Sequence, residues 1–312
     1  MRRSIILSSF VALAAGVVLA AAAAAGPPLN GKIAFSSYAA GESDIWVMNP
    51  HGGNKVNLTP EFGGSDFFPD WSPDGTKIAF SRFQLSGCCA FVSDIVVVNA
   101  DGTGAATLTD GTSENTTPAW SPDGAKIAFS STRDVDSNAE IYVLNADGTG
   151  VTALTETAFP TRNSGPAWSP DGTKIAFVRD PGGVGSFTDI YVMNADGSGV
   201  TQLTTATTGL IGNITPTWSP DGTRIAFDSD RDDGNREIYV MNADGTGQTN
   251  LTNSPAADTT PDWSPDGRLI LFSSDRDGLA TFYTLEVTEP STVKTVTKGP
   301  IGEDPDWQRS VR

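Results

Sequence analysis

Apolar and polar residues alternate along this chain in short bursts rather than in helical stripes. Runs such as Lys126-Ile127-Ala128-Phe129 and Ile141-Tyr142-Val143-Leu144 are rich in Ile, Val, Phe and Tyr and are bounded by Gly, Pro, Asn and Asp. That is the pattern of short strands between tight turns. No segment carries a convincing helical period. In Ile141 to Leu144 both parities are apolar, so both faces of the strand are expected to be buried. Ala128, between Ile127 and Phe129, leaves room for a neighbouring sheet to approach.

The bursts recur in phase. WSPDG begins at Trp71, Trp120, Trp168, Trp218 and Trp263, and a sixth tryptophan, Trp307, follows in DPDWQ. KIAF or a variant ends at Phe35, Phe80, Phe129, Phe177, Phe227 and Phe272. A third segment, typified by IYVMNADGTG, starts at Ile45, Ile95, Ile141, Ile190 and Ile238, with a degenerate copy at Phe282. A short LT closes the unit at Thr59, Thr109, Thr155, Thr204 and Thr252, and Thr297 closes a sixth. Four strands per unit, six units and two buried faces per sheet predict an all-β, six-bladed β-propeller of four-stranded antiparallel blades. SPDG itself is turn chemistry: Ser caps, Pro presets φ, Asp accepts a local hydrogen bond, and Gly takes the conformation other residues resist.

Spacing separates fixed turns from free ones. The WSPDG tryptophan always lies nine residues before the following Phe, and five of the Ile-to-LT spans are 14 residues long. The Phe-to-Ile and LT-to-Trp spans vary instead. Because antiparallel strands alternate in direction, both variable loops fall on one face of the disc, where function concentrates. The chain opens with the second strand of a blade and ends with a first strand. Residues 303–308 are therefore expected to join the N-terminal blade, residues 31–59, and close the ring.

The recurring P-x-WSPDG-x-KIAF, IYVMNADGTG and LT segments resemble the TolB-type, WD40-like β-propeller repeat of secreted and periplasmic bacterial proteins, over residues 30 to 308. The resemblance implies a six-bladed propeller. TolB-type proteins can carry an α/β domain before the propeller and serve an envelope complex by binding a lipoprotein. Only a few residues precede the first strand here, so the resemblance bears on fold more than on function.

Composition adds a compartment. Arg2 and Arg3, an apolar run and an A-x-A-type end before Gly26 form the series of a cleavable signal peptide over residues 1–25, leaving residues 26–312 as one propeller domain. Retention of that run as a membrane anchor is the alternative. The protein is expected outside the cytoplasm, secreted or periplasmic. Removing Arg2 and Arg3 moves the formal charge from -17 to -19. Such a surface repels phosphate backbones, so nucleic acid is not an expected partner. Cys88 and Cys89 are adjacent and supply no disulfide framework. A bridge between neighbours is strained, so buried thiols are favoured over an internal or intermolecular disulfide.

The candidate chemistry is sparse. No G-x-S-x-G elbow accompanies the repeats, which argues against a prolyl-oligopeptidase-like hydrolase. Some TolB-like propellers are lyases with a histidine-bound metal. This chain has one histidine, His51, at a position where other copies place the turn Asp. A histidine metal site is therefore not expected. Oxygen ligands are more numerous. Three residues before each Pro-x-Trp proline stand Asp66, Asn115, Asn163, Asn213 and Asp258, with Gly302, Glu303 and Asp304 in the sixth copy. These are expected to ring the mouth of the central channel, either as Asx caps of their strands or as a ligand site. Asp66, Asp258 and Glu303, with Asp304, would form an acidic arc suited to Ca2+ or a cationic ligand.

The residue before each tryptophan is Asp70, Asp262 or Asp306 in three neighbouring blades and Ala119, Ala167 or Thr217 in the others. Asp228 to Glu237 lacks the order of a calcium loop and reads as solvated, with Arg231 and Arg236 pairing locally; Arg133-Asp134 and Asp275-Arg276-Asp277 read the same way. The tryptophans read as packing residues. Together these features predict a monomeric, non-enzymatic binding propeller whose variable-loop face takes a protein or glycan. A polysaccharide lyase or hydrolase using channel carboxylates and a divalent cation is the second reading, favoured if Asp66, Asp258 and Glu303 share one deep pocket.

Overall fold

A computed structural model describes residues 31–309, apart from 40, 61–62, 87–89, 135–137, 184, 207–210, 233 and 298–301. The expected leader and the Cys88-Cys89 pair lie outside the described residues. Six sheets of four antiparallel strands follow one another around a ring, with no helix among the described residues. Among the described residues, therefore, no helix is long and apolar enough to cross a membrane. Blade 1 is composite: its inner strand, Glu303–Trp307, pairs with Ile33–Ala39, which pairs with Glu42–Met48 and then Val56–Asn57. The register sets Ile33 against Trp307 and Ser36 against Glu303, so the closure expected from the sequence is the one formed. The inner strands of blades 2 to 6 are Ser65–Trp71, Asn115–Trp120, Arg162–Trp168, Asn213–Trp218 and Asp258–Trp263.

The core lies between blades rather than within one. Each KIAF strand turns its Ile and Phe toward the preceding blade and its Ala, replaced by Leu271 in blade 6, toward the following one. Ala128, for example, packs with Trp168, Ile175 and Phe177 of blade 4. A methyl at that position lets the next blade's indole and phenyl approach, and the Phe side chains of all six copies are fully buried. The WSPDG turns are closed by the chemistry their residues supply. Ser72 Oγ donates to Asp74 Oδ1 at 2.6 Å and accepts from Lys77 N at 2.9 Å, while Gly75 takes a φ of 67°. The same turn recurs at Ser121, Ser169, Ser219 and Ser264. The repeated motif is scaffold.

Two departures from regularity shape the loop face and the channel. Blade 2 has a central hairpin of ten-residue strands, Lys77–Ser86 and Ala90–Asn99, where most blades use six or seven. About four extra residues at ~3.3 Å each raise it above the variable-loop face by about 13 Å. Each inner strand also carries a bulge just before its proline, where Phe68, Thr117, Gly165, Thr215, Thr260 and Asp304 adopt positive φ.

Candidate functional site

The expected Asx ring forms as a set of buried hubs rather than as an open mouth. Asp66, Asn115, Asn163, Asn213 and Asp258 are all fully buried or nearly so. Each accepts hydrogen bonds from an arginine of its own blade. Arg82 meets Asp66 with Nε at 2.8 Å and Nη2 at 2.9 Å, and Arg276 Nη2 lies 2.8 and 2.9 Å from the two oxygens of Asp258. Arg133 Nη2 donates to Asn115 at 2.9 Å, Arg179 Nε to Asn163 at 2.8 Å, and Arg231 to Asn213.

Where the ring residue is Asn, its amide reaches back to the preceding blade. Asn163 Nδ2 donates to Glu140 at 2.6 Å and Asn213 Nδ2 to Asp189 at 2.8 Å. Asn fits there because it alone of the Asx pair has both a donor for that carboxylate and an acceptor for the arginine.

The arginines correct one expectation. Arg133, Arg231 and Arg276 are not solvated loop charges. Each guanidinium stacks on the KIAF phenylalanine and on the tyrosine of the next strand: Arg231 lies 5.4 Å from the Phe227 centroid and 4.7 Å from that of Tyr239, and Arg276 lies 5.3 and 4.8 Å from those of Phe272 and Tyr283. The acidic neighbour in each Arg-Asp pair accepts from the tyrosine hydroxyl, as Asp277 does from Tyr283 at 2.5 Å. Arg236 does pair locally, with Asp228.

The four acids of the expected arc are dispersed. Asp66 and Asp258 face arginines, Asp304 lines the central channel and accepts from Ser36 Oγ at 3.1 Å, and Glu303 stands exposed on the loop face. Among the described residues, no three His, Cys, Asp or Glu side chains are grouped to hold a metal ion. His51 is exposed in a turn closed by Gly52 N to Asn49 O, like that of Gly102 N to Asn99 O in blade 2.

The carboxylates that share a space are those preceding the tryptophans, together with Asp304. Asp70, Asp262 and Asp306 line a channel cavity of about 180 Å3, with Arg309 at its edge. Each accepts the backbone N–H of the following blade's tryptophan: Asp262 from Trp307 at 2.6 Å, Asp306 from Trp71 at 2.7 Å, and Asp70 from Trp120 at 2.6 Å. Two of the latched seams flank the composite blade, and the third lies between blades 2 and 3. Burial pushes the Asp70 carboxyl up to about 7 and that of Asp262 up to about 6, with Arg309 pulling both back. Burial and the charges of Asp70 and Asp262 hold Asp306 well above its ordinary range.

Raised values mean that the folded state binds protons the unfolded chain has released. Stability contributed by the protonated forms is therefore lost as pH rises through these values. We expect the melting temperature to fall from about pH 5 to about pH 8, and Asp306→Asn to flatten that fall and raise the melting temperature at pH 8. A wild-type melting temperature that rises over the same interval contradicts this reading.

The loop face is asymmetric because the fivefold hub is broken once. In blade 1, Gly302 stands at the Asx position, and no arginine follows Phe35, where Ser37 and Ala39 occupy the places that hold Arg82 and Arg133 in their own blades. A Cβ at Gly302, whose φ is +138°, would lie 1.6 Å from the Ser36 carbonyl oxygen, so an Asx cannot be placed there without moving the strand. The result is a cavity of about 310 Å3 lined by Ser37, Tyr38, Phe67, Leu279, Ala280 and Glu303. Tyr38 is 74% and Leu279 60% exposed at its rim. Phe67 makes edge contacts with Tyr38 and with Phe83 of the raised hairpin, at centroid distances of 6.4 and 5.6 Å.

Residues 27–158, 155–234 and 212–310 match the family described as TolB beta propeller domain. The chain belongs to that family. TolB from Acinetobacter baumannii superposes with a TM-score of 0.73 at 20% identity, over 89% of this chain and 67% of that one. The putative TolB from Agrobacterium tumefaciens gives 0.65 at 23%, over 89% and 92%, and Kuenenia stuttgartiensis hydrazine synthase gives 0.70 at 17%, over 91% and 47%. At these identities the likeness shows the fold. No curated protein matches the chain.

Within this TolB-family propeller, sequence reading misses Arg82, Arg179 and the blade 1 cavity, and reads Arg133, Arg231 and Arg276 as solvated charges. The signal was present as an Arg two residues after Phe80 and Phe177 and four after Phe129, Phe227 and Phe272, with none after Phe35.

Proposed function

We propose that this protein is a secreted or periplasmic, non-enzymatic binding propeller that engages a protein partner through its variable-loop face. The blade 1 cavity carries the reading: it is an aromatic and aliphatic pocket on the one face where the repeat is irregular, flanked by a hairpin raised above the rest. Among the described exposed large hydrophobics, Tyr38, Phe159, Ile211 and Leu279 stand on that face, whereas Val56, Val151 and Val200 belong to the outermost strands or the turns just before them. A pocket with an aromatic and aliphatic wall, edged by Ser36, Ser37, Ser43 and Glu303, suits an amphipathic side chain of a partner protein. The leader-like residues 1–25 support an extracytoplasmic location, and N-terminal sequencing of the secreted form is expected to begin at Gly26.

The lyase or hydrolase reading asked for Asp66, Asp258 and Glu303 in one deep pocket. The first two instead face arginines, and neither lines the cavity beside Glu303.

Selection of a displayed random-peptide library on residues 26–312 tests the proposal. Enriched peptides are expected to lose at least tenfold in affinity, about 1.4 kcal/mol, on a Tyr38→Ser, Leu279→Ser variant. Peptides that bind both forms equally, or glycans that bind where no peptide does, would overturn it.

A further inference from the structure

Blades 2 to 6 show how this face handles a cation. Between the end of the second strand and the start of the inner strand, a guanidinium sits over an aromatic ring and donates to an Asx oxygen. Blade 1 has no such arginine, and Phe35 and Trp46, which stand where Phe227 and Tyr239 carry Arg231, do not line its cavity; other residues of like chemistry do. Aromatic faces are present in Tyr38 and Phe67, an apolar wall in Leu279 and Ala280, and a carboxylate in Glu303, one residue beyond the Asx position. Among the described residues no Lys or Arg pairs with Glu303. The formal charge of -17 favours approach of a basic segment.

We propose that the blade 1 cavity is a receptor for an arginine side chain of the partner protein. The guanidinium lies between Tyr38 and Leu279 and donates to the Glu303 carboxylate. Arginine is specified over lysine because a planar, weakly hydrated cation stacks on an aromatic face and forms paired hydrogen bonds to a carboxylate. This inference rests on the loop-face reading and names the chemistry of the partner at that face.

The probe is the peptide acetyl-Gly-Arg-Gly-amide, titrated into 15N-labelled residues 26–312 and followed at the amides of Ser36, Ser37 and Glu303. A dissociation constant of about 5 mM or tighter is expected, at least tenfold weaker for the same peptide with citrulline, which keeps the shape and removes the charge. Glu303→Gln is expected to weaken binding similarly. Ser37→Arg, which supplies the guanidinium in cis, is expected to abolish binding while leaving the melting temperature unchanged or raised. Equal affinity for arginine and citrulline, or no shift at these amides up to about 20 mM peptide, overturns the inference. Library peptides that depend on Tyr38 and Leu279 but contain no essential arginine would overturn it while leaving the loop-face reading intact.

Discussion

Deleting residues 303–312 is expected to lower the unfolding free energy by several kcal/mol and to make the remaining protein self-associate. The segment supplies the inner strand of a blade whose other three strands come from the opposite end of the chain, so no covalent neighbour holds it in place. Trp307, 3% exposed, packs with Ile33, Phe35 and Met48 of blade 1 and with Leu271 and Phe282 of blade 6. Loss of a buried tryptophan alone costs about 3–5 kcal/mol.

Hydrogen bonds around the seam go with it. Trp307 Nε1 donates to Gly31 O at 3.1 Å, Gln308 N to Lys32 O at 2.8 Å, and the Gln308 amide bridges Lys32 N and Gly75 O at 3.0 and 3.1 Å. Asp306 also leaves the tryptophan N–H of blade 2. The exposed edge of Ile33–Ala39 then offers unpaired backbone groups to a second molecule. Urea unfolding at two protein concentrations reads both effects. An unchanged midpoint and no concentration dependence would mean that the ring does not depend on its closing strand.

The second large effect is expected at the hubs. Arg276→Ala removes the cation from Asp258, whose side chain is fully buried, and leaves a carboxylate with no charge partner inside the ring. Breaking a buried pair from one side costs about 3–5 kcal/mol. Arg276 is only 21% exposed, so solvent screens little of this. The stacking on Phe272 and Tyr283 is lost as well.

Replacing both partners by apolar residues of similar volume, Asp258→Leu with Arg276→Met, is expected to restore most of the stability, because the desolvation cost disappears with the charges. A double-mutant cycle by equilibrium unfolding measures the difference. A silent Arg276→Ala would show that the ring positions are solvated and that their pairing is incidental.

The architecture was legible because the physics that makes a propeller also makes it periodic. Every Trp-to-Phe span is set by one turn chemistry, and every Ala between Ile and Phe is set by the approach of the next blade. The position of the Asx ring was legible for the same reason. Its partners were not. The arginine sits within the second strand in blades 2 and 4 but beyond its end in blades 3, 5 and 6, so its spacing from the phenylalanine changes while its place in space does not.

A spacing rule sees the first and misses the second. The blade 1 cavity was harder still, because its marks in the sequence are a glycine at 302 and a missing arginine after Phe35, and a missing residue means something only once the five filled copies have been seen. The three latching aspartates were visible as an asymmetry, but their hydrogen bonds to the following blade's tryptophan depend on the curvature of the ring, which no local pattern encodes.

The central claim is that the repeated residues are scaffold and that binding belongs to the irregular face. Calorimetric titration of residues 26–312 with Ca2+, beside an Asp66→Asn, Asp258→Asn variant, tests it most directly, because the Asx ring is the repeated feature best suited to a cation. Superimposable isotherms are predicted, with no calcium-dependent difference in melting temperature between the two forms. Binding heat in the parent protein that vanishes in the variant would place a ligand in the ring itself and contradict the claim.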